Sequence, residues 1–485
     1  MVARGLRRDL ESGLLLGGFA GLAALAFSLT GFRTPFFAAT ITIALLALAW
    51  YVLNGASRWI TAFLLAAILL PPLPLPWGDA GPHPAMLLAG LGLLAGLARL
   101  SAWKIRRRGI SAALGLLWFA LLTSCPLAAL YSGAGAAAGT LARIGLFSIS
   151  VYLFFYLADG PGRDIPPQRV IRLLFWAGAC SALFACLDFY FQFPAPARFA
   201  EQFVWLPGGV FRRAQGVFYE ASTLGLLCVF LLLMVAAIAL LRLGPRLGLS
   251  QVWLLAGATT LVAALVLSFS RAAMLTLAIS LGVMFWLERR RLGIARKLVR
   301  VGFLVSASLA GGAAALYWLL PDFLTAYLQR FWFSGLYLLE SPDLILSRRL
   351  ESWQFLVTYL AEHPWRAIFG IGYKTLPYTE VLGRPVVADN MYLSLLIETG
   401  VLGLAALLLL HWTVLATCYR AATVPPGAGD LDLRRLFGLW MFCFWCGLAV
   451  QMWSGDILTY WRTLPAFFAA LAIVVREPSH ENPAS

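Results

Sequence analysis

Stretches of about 20 apolar residues recur along almost the whole chain, separated by short polar or basic breaks, and about 20 residues is the length at which a helix crosses a hydrocarbon layer. No other feature constrains the fold as tightly. A transmembrane β-barrel would instead show alternating segments of about 10 residues. A soluble domain carries about 25% charged residues, whereas this chain carries 12%, with 61% hydrophobic. The expected class is therefore an all-α polytopic membrane protein.

The apolar runs predict about 14 transmembrane helices (12–14), near 13–30, 36–53, 59–75, 84–100, 110–131, 136–158, 170–191, 221–241, 251–269, 272–287, 301–320, 392–418, 436–452 and 460–475. With the N-terminus cytoplasmic, 24 of the 37 Lys and Arg fall on the inner side, 12 fall outside and Arg143 lies within a span. That bias fits the positive-inside rule with both termini cytoplasmic. The net charge of +15 then orients helices, and no nucleic-acid partner is expected. The first apolar run follows a basic stretch without a clear small-residue cleavage site, so it reads as a retained helix.

All seven Cys fall in expected spans, and Cys443 and Cys446 on an apolar helix read as packing residues. The four His (83, 363, 411 and 480) are scattered without metal-ligand spacing. Neither a phosphate-binding Gly-Lys loop nor a dinucleotide fingerprint is present. The expectation is no metal and no cofactor.

Two outer segments exceed ordinary connections. One is 192–220, rich in Pro and Gly; the other is 321–391. Within the second, Leu350, Trp353, Leu356, Val357 and Leu360 recur at helical spacing, predicting an amphipathic helix over 347–362 that ends before Pro364. The Gly370-Ile-Gly372 turn leads back to the membrane. The chain divides into N-terminal transmembrane helices (1–204), a core with the long loop (205–418), and C-terminal helices with a short cytoplasmic tail (419–485).

In so apolar a chain, charges near the membrane on the side without a charge bias are the informative ones. They fall in three groups: Arg212-Arg213-Ala-Gln-Gly216-Val-Phe-Tyr-Glu220; Ser268-Phe-Ser270-Arg271; and Asp389-Asn390-Met-Tyr392 running on to Glu398. Each also has a structural reading. Arg212, Arg213 and Arg271 suit interfacial anchors, Asp389 and Asn390 suit a helix cap, and Glu398 suits a bond to a neighbouring helix. His363 before Pro364 suits a helix end. Taken together, arginines from separate outer segments suit a diphosphate, because guanidinium pairs bidentately with phosphate oxygens. A nearby carboxylate suits proton removal from a hydroxyl.

At these segments the chain resembles the O-antigen ligase/O-antigen polymerase superfamily of bacterial envelope glycan transferases, over roughly 205–410. The resemblance rests on Arg213-x-x-Gly216-x-Phe218, Ser268-x-Ser270-Arg271-Ala-Ala and Arg349-Leu-Glu-Ser-Trp353. It continues through His363-Pro364, Gly370-x-Gly372 and Asp389-Asn390-x-Tyr392 to Glu398-x-Gly400-x-x-Gly403. It implies metal-independent, inverting transfer of a glycan from an undecaprenyl-diphosphate carrier to an acceptor hydroxyl. The location implied is the periplasmic face of the bacterial inner membrane. Arg213 and Arg271 map onto the arginines that hold the diphosphate, with Arg212 a close alternative to the first, and Asp389 takes the place of the base. Glu220, Arg349, Asn390, Tyr392 and His363 complete the expected substrate-binding set. The implied partners are the lipid-linked glycan donor, a glycan or lipid A-core acceptor, the bilayer and other envelope polysaccharide assembly proteins.

Ligases of this kind carry His-Asn where this chain has Asp389-Asn390, so the first reading is polymerisation of O-antigen or exopolysaccharide repeat units. The alternative is a ligase moving finished glycan to lipid A-core or to a protein. A third reading, a lipid-linked glycan flippase or transporter, calls for charges spread through the spans and repeated halves. Only Arg143, Asp188 and Glu398 lie in or at the edges of spans, and no clear repeat is visible.

Overall fold

A computed structural model describes residues 54–73, 82–194, 202–206, 209–289, 349–425 and 430–476, with isolated positions elsewhere. The spans expected at 13–30, 36–53 and 301–320, and most of 321–348, fall outside the described residues. The rest is helical: α1 Arg58–Leu69, α2 Pro84–Leu97, α3 Gly109–Thr123, α4 Cys125–Ala158, α5 Pro167–Phe191, α6 Ala221–Leu241 and α7 Gln251–Leu267. There follow α8 Arg271–Glu288, α9 Arg349–Glu362, α10 Pro364–Phe369, α11 Met391–Ala422, α12 Asp430–Gln451 and α13 Leu464–Val475. Six of these helices are long and apolar enough to cross a membrane, and five more are shorter apolar helices. The chain is a multi-pass membrane protein.

The helical expectation acquires one addition, an antiparallel hairpin of β1 Phe203–Leu206 and β2 Gly209–Arg212, pairing Phe203 with Arg212 and Leu206 with Gly209. Val and aromatic residues flanking a Pro-Gly-Gly break supply the strand and turn chemistry. Two long helices are also bent. Backbone torsions leave the helical region at Gly133 in α4 (φ 84°) and at Gly400 in α11 (φ 72°). Glu398 therefore sits in a short helical segment before a bend.

Helix α6 occupies the centre. Its sequence is apolar on every face, and every residue but Ser222, Ala239 and Leu241 is buried, as expected of an all-apolar helix within a bundle. Helix α12 packs against α6, α8, α11 and α13. Helix α2, by contrast, leaves Leu87, Leu93, Leu94 and Leu97 exposed, a surface suited to lipid.

The two ends of the bundle differ in chemistry. One end holds the ion pairs Arg108–Asp159 (2.8 Å), Arg246–Asp432 (2.7 Å) and Arg435–Glu288 (2.9 Å). Arg476 joins them there, donating to the Leu157 and Ile165 carbonyls. All these arginines belong to the set assigned to the inner side. The opposite end gathers the hairpin, the α7–α8 turn, the first turns of α6 and α11, the end of α12, and α9 with the loop that follows it. There Leu356 and Tyr359 of α9 pack on Ile371, Leu376, Val386 and Ile397. The expected apolar stripe is thereby rotated: Val357 is 57% exposed, and Tyr359, one turn from Leu356, takes the buried place.

Candidate functional site

The hairpin sends its two adjacent arginines in opposite directions, as successive strand and near-strand residues do. Arg212 turns into the bundle, where its Nη2 donates to Asp188 Oδ1 of α5 at 2.6 Å, with both side chains buried. Arg213 turns to the α7–α8 connection, where its Nε donates to the Ser268 carbonyl at 2.8 Å. Beside it, the Ala214 amide donates to the Leu267 carbonyl at 3.0 Å. Arg213 is thus tied three residues away from Arg271.

Serines shape that connection. Ser268 Oγ donates to the Leu265 carbonyl and accepts from the Ser270 amide. Ser270 Oγ caps α8 by accepting from the Ala273 amide, and Phe269 takes a left-handed conformation (φ 51°) between them. The tight turn leaves Arg271 exposed as the first residue of α8. Gly225 of α6 allows this close approach, since a Cβ there would meet Ala273 and Ser270 at 3.0–3.1 Å.

Asp389 sits at the same end. Its Oδ2 lies 3.2 Å from Arg349 Nη2, and Arg349 Nη1 donates to the Ser454 carbonyl at 2.9 Å. Trp353 Nε1 donates to the Ala388 carbonyl at 2.7 Å, so α9 holds this corner through both residues. Asp389 adopts φ 44°, a conformation that Asp tolerates better than most residues. Asn390 caps α11 by accepting from the Leu393 amide at 3.1 Å.

Glu220 and Tyr460 border Asp389. Glu220 Oε2 accepts from Thr223 Oγ1 at 2.6 Å. Burial pushes the Glu220 carboxyl up from its ordinary value, Asp389 adds to the rise, and bonds from Thr223 and Tyr460 oppose it. Burial likewise raises the Tyr460 phenol, with Glu220 and Asp389 reinforcing the rise and Arg349 opposing it. Lys374 is ion-paired with Asp456, and both are largely buried. Burial lowers the Lys374 ammonium, while Glu398 and Asp389 counter the shift.

The two glycine-bearing motifs of the long loop close on one another. The Ile371 amide donates to the Ile397 carbonyl (3.0 Å), and the Gly372 amide donates to the Glu398 carbonyl (2.8 Å). A Cβ on Gly400 would lie 2.1 Å from the Ile368 carbonyl oxygen. Buried Glu398 Oε1 accepts from the Leu376 amide across this junction (3.5 Å), a bond to the loop in place of the expected bond to a neighbouring helix.

The structure therefore brings Asp389, Arg349 and Glu220 together, and joins Arg213 to the turn carrying Arg271, all at one end of the bundle. Other expected residues serve elsewhere in the geometry. Tyr392 Oη donates to the Ala449 carbonyl at 2.7 Å and lies 3.2 Å from His411 Nε2, bracing α11 on α12. His363 lies at a helix end, with Nδ1 3.2 Å from the Tyr359 carbonyl and its ring stacked on Tyr359. Lys374, Asp456 and Tyr460 were not singled out from sequence. The one available signal was the polar break Ser454-Gly-Asp456 between two apolar runs. Arg462, which the sequence does not single out, is buried and donates to the carbonyls of Ala67, Leu70 and Val217.

Residues 256–408 match the family model described as O-antigen ligase, which supports the resemblance to the O-antigen ligase/polymerase superfamily. No curated protein matches the chain. The matched segment contains Arg271, Arg349, Asp389 and Glu398. Arg213 and Glu220 precede it, and Asp456 and Tyr460 follow it.

Proposed function

We propose that the protein polymerises lipid-linked glycan repeat units, transferring a growing glycan from an undecaprenyl-diphosphate donor to a hydroxyl of the next unit. The chemistry takes place at the periplasmic face of the inner membrane. The observation that carries this reading is the arrangement at one end of the bundle. Arg213 is fastened to the Ser268 carbonyl beside Arg271, and Asp389 is held by Arg349. The carboxylate and the two arginines thus lie on separate elements at the same end of the bundle, which supports this reading. The orientation is supported by the basic residues concentrated at the opposite end.

In this mechanism the acceptor hydroxyl oxygen attacks the anomeric carbon as the bond from that carbon to the diphosphate oxygen breaks. The configuration inverts, Asp389 takes the hydroxyl proton, and undecaprenyl diphosphate leaves. Arg213 and Arg271 stabilise the charge that grows on the departing diphosphate. Arg349 fixes the Asp389 carboxylate through one Nη while its other Nη is anchored on Ser454. Arg212 supports the site from behind, its guanidinium bound to Asp188.

The description of the matched family favours a second reading, a ligase that passes finished glycan to a different acceptor. Purified protein given lipid-linked repeat units alone distinguishes the two. A ladder of longer chains supports polymerisation, while transfer only after adding lipid A-core or a protein supports the ligase. Asp389→Ala, Arg213→Ala and Arg271→Ala are each expected to lower transfer by at least about 100-fold. Full activity in the Asp389 variant removes it as the base, and full activity in both Arg variants refutes the diphosphate assignment.

A further inference from the structure

The loop between α12 and α13 lies beyond the matched family segment, yet it holds three parts of the site at alternate residues. The Met452 carbonyl accepts from the Met391 amide at 2.8 Å, fixing the start of α11 next to Asp389-Asn390. The Ser454 carbonyl accepts from Arg349 Nη1 at 2.9 Å. Asp456 pairs with Lys374. The stretch begins as a turn off α12, with the Met452, Trp453 and Ser454 amides donating back to the Leu448, Val450 and Gln451 carbonyls, so one short stretch orients the base, the guanidinium that holds the base, and a nearby ammonium.

Lys374 is poorly suited to a purely structural place. It adopts a left-handed conformation (φ 61°), and only 16% of its side chain is exposed. Carboxylates approach it from three elements: Asp456 from the α12–α13 loop, Glu398 from α11 and Asp389 from the end of its own loop. Arg143 of α4 opposes them electrostatically. The groups around Asp389 are Arg349 from α9, Glu220 from the start of α6, Tyr460 from the α12–α13 loop, and Lys374. Asp456 Oδ1 and Arg349 Nε are buried without a hydrogen-bond partner, so an acceptor and a donor remain unsatisfied in this cluster.

We propose that Lys374 and Asp456 are positioning residues of the transfer reaction: the ion pair fixes the 370–390 loop against the α12–α13 loop and keeps an ammonium facing Asp389. This inference rests on the glycan-transfer reading and extends it. The pair ties the two loops together beside Asp389, so losing either partner should loosen the same support.

The test uses full-length protein in detergent or proteoliposomes, with a polyprenyl-diphosphate-linked oligosaccharide as donor, and follows kcat and donor KM. Lys374→Met and Asp456→Asn are each expected to lower kcat by about 10–100-fold, the range a small misplacement of reacting groups produces, with donor KM nearly unchanged. Lys374→Arg and Asp456→Glu should recover most of the activity. The double variant Lys374→Met/Asp456→Asn, which buries no unpaired charge, keeps the test open if a single variant fails to fold. Wild-type kcat in well-folded variants overturns the inference. Equal losses in all variants with no rescue by the conservative ones also overturn it, because they indicate a structural role alone. A wild-type protein that transfers no glycan refutes the transfer reading, an outcome separate from both.

Discussion

Gly400→Ala is expected to disable the site without touching any group proposed to meet substrate. Gly400 has φ 72° and ψ −171°, a region used almost only by glycine, where another residue incurs about 1–3 kcal/mol. Its new methyl would stand 2.1 Å from the Ile368 carbonyl oxygen and 2.7 Å from the Ile368 carbonyl carbon. An ordinary contact needs about 1 Å more, and both obstructing atoms are backbone. Relief therefore requires α10 to withdraw from α11, which breaks the Ile371–Ile397 and Gly372–Glu398 bonds, each worth about 1 kcal/mol. The expected loss is about 3–5 kcal/mol of local stability. The withdrawal also shifts the loop carrying Lys374 and Asp389 by about 1 Å, which can cost about 100-fold in rate. Gly383→Ala is the control: its φ is also positive (68°), but no atom lies within 4 Å of the added Cβ, so only the backbone cost applies. Thermal unfolding in detergent and glycan transfer should both separate the two variants. Equal stability and equal activity in them would refute the steric reasoning.

Two further outcomes follow from the buried charges. Arg212→Ala leaves Asp188 buried without its 2.6 Å partner and should destabilise the protein by about 3–5 kcal/mol. The apolar pair Arg212→Met/Asp188→Leu should recover most of that loss in the same melting assay, and a single variant as stable as wild type would show the pair to be dispensable. Glu220→Gln tests the raised carboxyl. Because the folded state holds this proton more tightly than the unfolded chain does, the stability attached to it is complete at pH below the ordinary value of 4.5 and falls as pH rises through the elevated folded value. The Gln variant should therefore match wild type in melting temperature near pH 4 and exceed it increasingly toward pH 8. A gap independent of pH would contradict the assignment.

The spans were legible because lipid imposes length and apolarity together. The run 221–241 coincides with α6, and 251–269 and 272–287 fall within a few residues of α7 and α8. The Asn390 cap and the helix-end role of His363 were legible for a similar reason, since each depends on immediate neighbours. What depends on two distant segments was not. Nothing in Arg212-Arg213 indicates that the first arginine belongs to Asp188 and the second to the Ser268 carbonyl. That division requires the hairpin, and the hairpin requires the ends of α5 and α7 to be near one another. The bend at Gly400 is not visible in its neighbours, because it accompanies close approach of the Ile368 carbonyl, about 30 residues earlier.

The position of the α12–α13 loop also bears on what constitutes the catalytic unit. The matched segment 256–408 contains the proposed base and one diphosphate arginine, but it cannot build the site by itself. Arg213 arrives from the hairpin before it and Glu220 from the start of α6, while Ser454, Asp456 and Tyr460 arrive after it. Glu220 and Ser454 lie at helix ends that packing within the bundle fixes, and α12 reaches the site packed along α6, α8, α11 and α13. Thr276 Oγ1 of α8 donates to buried Gln451 Oε1 of α12 at 2.8 Å, linking the helix that begins with Arg271 to the helix that ends at the Ser454 anchor. The relative placement of the proposed diphosphate arginines and the proposed base is thus tied to helix packing below the site. A substitution at this junction, remote from any sugar, should reach the chemistry through the spacing of those two groups.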